Sequence, residues 1–96
     1  MATFDDWEDA YEEVHAAIPR DAGVACPNCG HRTLRLVFTG DLHRDVGYES
    51  FWCATCLLGI STSRATIPEG ATVRDIHLPR AERVPRIPNL TLVIPG

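Results

Sequence analysis

Cys26-Pro27-Asn28-Cys29-Gly30 and Trp52-Cys53-Ala54-Thr55-Cys56-Leu57-Leu58-Gly59 together hold all four cysteines of the chain. They form two Cys-x-x-Cys pairs with 23 residues between them, a spacing close to that of metal-ligand pairs. Zinc favours four ligands at the corners of a tetrahedron, with Zn–S bonds of about 2.3 Å. Two cysteines three apart on a tight turn supply two neighbouring corners. Pro27 presets one bend of the first turn, and Gly30 can take the positive φ with which the chain leaves it. Gly59 is expected to do the same for the second pair. The expectation is one structural zinc ion on Cys26, Cys29, Cys53 and Cys56.

Other chemistries use the same residues. Two disulfides would need an oxidising compartment. A thioredoxin-type pair usually occurs once, at a helix start, whereas here two pairs lie among strand-like segments. An iron centre of rubredoxin type satisfies the same geometry.

Outward from the pairs, residues 33–39 and 48–52 read as two strands of a hairpin. Its tip runs from Gly40 to Gly47, and residues 60–67 read as a third strand. The two knuckles and the hairpin between them resemble the zinc ribbon family, over residues 24 to about 67. That resemblance implies a three-stranded antiparallel sheet and a purely structural metal. It does not imply one function, because zinc ribbons occur in general transcription factors, RNA polymerase subunits, ribosomal proteins and bacterial adaptors. The chain departs from the nucleic-acid-binding members in its acidic balance and its lack of lysine.

Phe4, Trp7, Tyr11, Val14 and Ile18 recur at steps of three and four, which marks one face of a helix ended by Pro19. Thr3 and Asp6 fit a capping box. The opposite face carries Asp5, Glu8, Asp9, Glu12 and Glu13, a solvated surface or a dock for something basic. Adjacent strand residues face opposite sides, so Phe51 and Trp52 cannot share a face. The helix or the C-terminal segment is expected to cover the outward one.

Beyond Pro68-Glu69-Gly70, Val73–Leu78 and Leu90–Ile94 could form short strands. Between them, Pro79, Pro85 and Pro88 favour an extended polyproline segment. Its three residues per turn would align Arg80, Arg83 and Arg86 on one edge. That edge could be solvated, meet the acidic helix, or grip phosphate.

The 96 residues make a small α+β chain in three parts: an N-terminal helix over 1–22, a zinc ribbon over 23–67, and a Pro/Arg-rich segment over 68–96. The net charge of −4 argues against a strongly basic nucleic-acid binder. No apolar run approaches the ~20 residues of a membrane span, and the N-terminus lacks the basic head and apolar stretch of a secretory signal. A cytoplasmic location is therefore expected. A zinc held by four thiolates has no open position, and no phosphate loop or nucleophile motif is present, so no enzyme is expected. The leading expectation is an adaptor that binds a protein partner. Nucleic-acid binding comes second and an iron or redox role third.

Overall fold

The structure is a computed structural model that describes residues 2–95. Helix α1 spans Phe4–Ala17. Strands β1 (Leu34–Asp41), β2 (Val46–Cys53) and β3 (Leu58–Thr66) follow. Two short strands, β4 (Val73–Asp75) and β5 (Thr91–Leu92), flank a single 3-10 turn at Arg80–Glu82.

The helix begins with the expected reciprocal cap. Asp6 N donates to Thr3 Oγ1 at 3.2 Å, and Thr3 N donates to Asp6 Oδ2 at 2.9 Å. Asp5 and Asp6 lie in the first turn, where the dipole favours anions. The helix stops at Ala17 because Pro19 has no N–H to continue it.

The sheet corrects the expectation of three antiparallel strands. It has five strands in the order β4-β1-β2-β3-β5. The central β1-β2-β3 meander is antiparallel, as the resemblance implies. The C-terminal segment then adds a strand at each edge, β4 parallel to β1 and β5 parallel to β3. Edge backbone left unpaired is a pairing template. Here the chain occupies both edges itself. Phe38 N donates to Thr72 O at 2.9 Å on one side, and Val93 N to Gly59 O at 2.7 Å on the other. The hairpin tip is also shorter than expected, since pairing continues out to Asp41 and Val46.

Strand alternation sends Phe51 and Trp52 to opposite faces, and both are buried, at 0% and 4% exposure. Phe51 lies under α1, where Trp7 and Tyr11 each meet its ring edge-on at 5.8 Å between centroids. Trp7, Ala10, Phe51 and Ile60 form the core together with Cys26 and Cys53. Phe4, Tyr11 and Val14 pack against it, whereas Ile18, expected on the same face, caps the helix instead.

Trp52 lies on the other face, and the chain's topology explains its cover. To pass from β4 to β5 the chain must cross all the strands between, four spacings or about 19 Å. Helix α1 occupies one face, so residues 76–90 cross the other. Pro85 and Pro88 of this crossing line a cleft together with Trp52 and Val37.

One polar group is buried in the helix-side layer. Glu49 is 3% exposed, and the Tyr11 hydroxyl donates to its Oε2 at 2.5 Å. Burial, and then the neighbouring carboxylate, raise the Tyr11 phenol above its ordinary range, so it stays a donor. Tyr11→Phe would leave a buried carboxylate without this partner. It is expected to cost about 1–3 kcal/mol, read as a lower denaturation midpoint with unchanged slope.

Candidate metal centre

The two knuckles are built alike. Gly30 N donates to Cys26 O at 2.9 Å, and Leu57 N donates to Cys53 O at 2.9 Å, closing each turn around its Cys-x-x-Cys. The first turn exits through Gly30 at φ +79°, as expected from the sequence. The second does not use Gly59. Its positive φ falls on Leu57, at +59°. Gly59 is a strand residue opposite Trp52, where any Cβ would run into the Phe51 carbonyl and the Trp52 backbone. The glycine is there for close strand approach, not for the turn.

Strand pairing brings the knuckles together. Leu34 at the start of β1 pairs with Cys53 at the end of β2. Cys26 N donates to His31 O, and Ala54 N to Thr33 O, at 2.8 and 2.9 Å. All four Sγ atoms then lie within 4.8 Å of one another. Sulfurs of opposite knuckles approach closely: Cys26 and Cys56 at 3.8 Å, Cys29 and Cys53 at 3.5 Å. A tetrahedral thiolate site with metal–sulfur bonds near 2.3 Å has sulfur–sulfur edges of about 3.8 Å. The cysteines are free thiols at that spacing, and they could hold one metal ion.

Donors surround the sulfurs, as a cluster of anionic thiolates requires. Asn28 N and Cys29 N lie 3.3 and 3.4 Å from Cys26 Sγ. Thr55 N lies 3.4 Å from Cys53 Sγ. The Thr33 hydroxyl is 3.3 Å from the same sulfur and 2.7 Å from Thr55 Oγ1. His31 Nδ1 stands 3.4 Å from Cys29 Sγ, so this histidine neighbours a ligand and does not replace one. Arg32 beside it donates to the Gly23 carbonyl and not to a sulfur.

Sequence reading missed Thr33 and Thr55. Their signal is weak: Thr55 sits inside the second knuckle, where its amide meets Cys53 Sγ locally, but only the β1–β2 register brings Thr33 to the same sulfur.

The surroundings treat the thiols unequally. Burial pushes Cys26 up to about 12. Burial also opposes ionisation of Cys53, but the Thr33 hydroxyl and the nearby amides outweigh it and bring that thiol down to about 6. A metal must displace the Cys26 proton on binding, whereas Cys53 is already a thiolate at neutral pH. Acid favours the thiols, so metal affinity should fall as pH falls, by about tenfold or more per unit between about pH 8 and 6. Competition against a chromogenic chelator would measure this, and a flat profile would contradict it. Cys53→Ser should abolish metal uptake and remove most of the helical circular dichroism, because Cys53 is also part of the core under α1.

Among the described residues, no helix is long and apolar enough to cross a membrane. The chain matches no protein-family model, no curated protein and no solved structure. The sulfur geometry therefore carries the reading of this site on its own.

Proposed function

We propose that this chain is a non-enzymatic protein-interaction module folded around one structural zinc ion on Cys26, Cys29, Cys53 and Cys56. The convergence of four thiols at tetrahedral spacing supports it. Zinc suits this set because four soft sulfur ligands fill its coordination, leaving no position for water or substrate. Iron in the same cage is the rival, and the two ions differ in colour and mass.

The interaction role rests on what the fold leaves outside. Asp5, Glu8, Asp9, Glu12 and Glu13 are all exposed along α1. Beside the helix start, Phe4, Leu58, Leu92, Val93 and Ile94 line an apolar groove, and Ile94 is 75% exposed. Acidic and apolar surfaces side by side suit a cytoplasmic protein partner with a basic, apolar-tipped element.

The second reading, nucleic-acid binding, has one observation in its favour. The tail arginines Arg80, Arg83 and Arg86 do share a cleft, joined there by Arg74.

Native mass spectrometry of the purified protein should show one zinc per chain, and a visible spectrum without charge-transfer bands. An iron mass with visible absorbance would replace the zinc assignment. A partner captured from native lysate should cross-link to α1 and be lost in a charge-reversed Glu8→Lys/Glu12→Lys variant. Capture unaffected by that variant would refute the acidic face as the dock.

A further inference from the structure

Four of the nine arginines meet at one place, on the face of the sheet away from α1. Arg74 comes from β4, and Arg80, Arg83 and Arg86 from the crossing segment. Tyr48 and Ser50 of β2 form the floor. The cleft they line measures about 540 Å³, the size range of small-molecule sites. No carboxylate lines it. The only ion pairs among the described residues are those of Arg44 and His77 with Asp41, at the hairpin tip. Four arginines thus line one cleft with no carboxylate in its lining and no ion pair of their own, a concentration of positive charge that favours an anion.

Three of them are held in place by the protein. Arg74 Nε donates to Thr39 Oγ1 at 3.0 Å, and Thr39 is fully buried. Arg83 donates through Nε to Leu78 O at 3.0 Å and through Nη2 to Ile76 O at 2.8 Å. Arg86 Nη2 donates to Ala81 O at 3.1 Å. A guanidinium has five N–H donors, so each keeps several for a ligand while its plane is fixed. Fixing the plane beforehand lowers the entropy cost of binding. The Arg80 side chain makes no hydrogen bond among the described residues and is exposed.

We infer that this cleft binds a small polyphosphate anion, of the class of inorganic polyphosphate or a nucleoside di- or triphosphate. Planar guanidiniums match phosphate oxygens in bidentate pairs. A single phosphate monoester carries about −2, only half the formal charge of the four arginines, whereas a phosphate chain can answer them all. A long nucleic-acid backbone fits less well. Most arginines that would extend a track are engaged or placed elsewhere: Arg44 pairs with Asp41, Arg32 with the Gly23 carbonyl, and Arg64 lies on β3 outside the cleft; Arg35 continues the face, lining the neighbouring cleft with Arg86. The chain as a whole is also acidic, at −4, and would repel a polyanion reaching beyond the cleft. The inference does not depend on which metal the cysteines hold.

Titration calorimetry on the intact metal-loaded protein would test this with inorganic tripolyphosphate, adenosine triphosphate and a single-stranded oligonucleotide. Tripolyphosphate or the nucleotide should bind one per chain and weaken with added salt. The tighter of the two identifies the source. Arg80→Ala should weaken binding about tenfold, and Arg80→Ala/Arg86→Ala further, with metal content and circular dichroism unchanged. Arg64→Ala should leave affinity intact. Absence of binding by both small probes would overturn the inference, as would preference for the oligonucleotide. So would equal losses in the Arg64 and Arg80 variants, which would mean diffuse charge attraction and not a site.

Discussion

The convergence of four thiols at the base of the β1–β2 hairpin is the constraint on which the remaining structure depends. Cys26 and Cys53 are not appended to the core; they are part of it, packed with Trp7, Ala10, Phe51 and Ile60. A domain of this size buries a smaller share of its surface than a large one, so its apolar core alone is thin. Anchoring both knuckles at one point compensates. It also sets where β3 begins, because Leu58 follows the second knuckle directly. Helix α1 then has a defined surface to cover. The residues that would hold the metal and those that bury the helix are partly the same, so metal affinity and folding free energy are coupled in this chain.

The sheet separates two chemistries. One face is closed by an amphipathic helix whose outer surface is acidic; the other is crossed by a proline-rich strap that brings arginines together. Acidic helix and basic strap lie on opposite sides of the β1–β2–β3 layer, so they cannot neutralise each other within one chain. A head-to-tail contact between copies could pair them, but such heterologous contacts do not close and tend toward open assemblies. The segregated charge leaves two exposed surfaces of opposite sign on the two sides of the sheet, not one internal ion-pair network. Surface pairs would in any case add little stability.

Much of this was legible in the chain itself, for identifiable reasons. The knuckles, the helix with its Thr3–Asp6 cap and the three central strands rest on short-range chemistry: ligand spacing, 3.6-residue periodicity and strand propensity. What escaped depends on distant pairing. The edge strands β4 and β5 fall inside the stretches expected as strands, Val73–Leu78 and Leu90–Ile94, but are only three and two residues long, and their parallel pairing with β1 and β3 at the two edges is what local sequence does not signal. Gly59, three residues after Cys56, reads as the counterpart of Gly30 because both glycines close a knuckle segment. Its true constraint, contact with Trp52 across the sheet, cannot be seen without the register. Thr33, which meets Cys53 across the β1–β2 pair, escaped for the same reason.

The arginine spacing shows how a local expectation can hold although its stated cause is incomplete. Arg80, Arg83 and Arg86 were expected on one edge because a polyproline helix has three residues per turn. The segment in fact opens with a 3-10 turn over Arg80–Glu82. A 3-10 turn also has three residues per turn, so side chains at i and i+3 superimpose in either conformation. The turn relates Arg80 to Arg83, while Arg86 reaches the same cleft along irregular backbone beyond it. Prolines at 79, 85 and 88 keep this stretch from joining the sheet as a strand, since each lacks a ladder donor. The segment must pass over the sheet face, carrying its arginines toward Arg74. The thiol cage, whose four sulfurs could hold one metal ion, anchors the hairpin base, and the strap gathers the arginines on the opposite side of the sheet from α1.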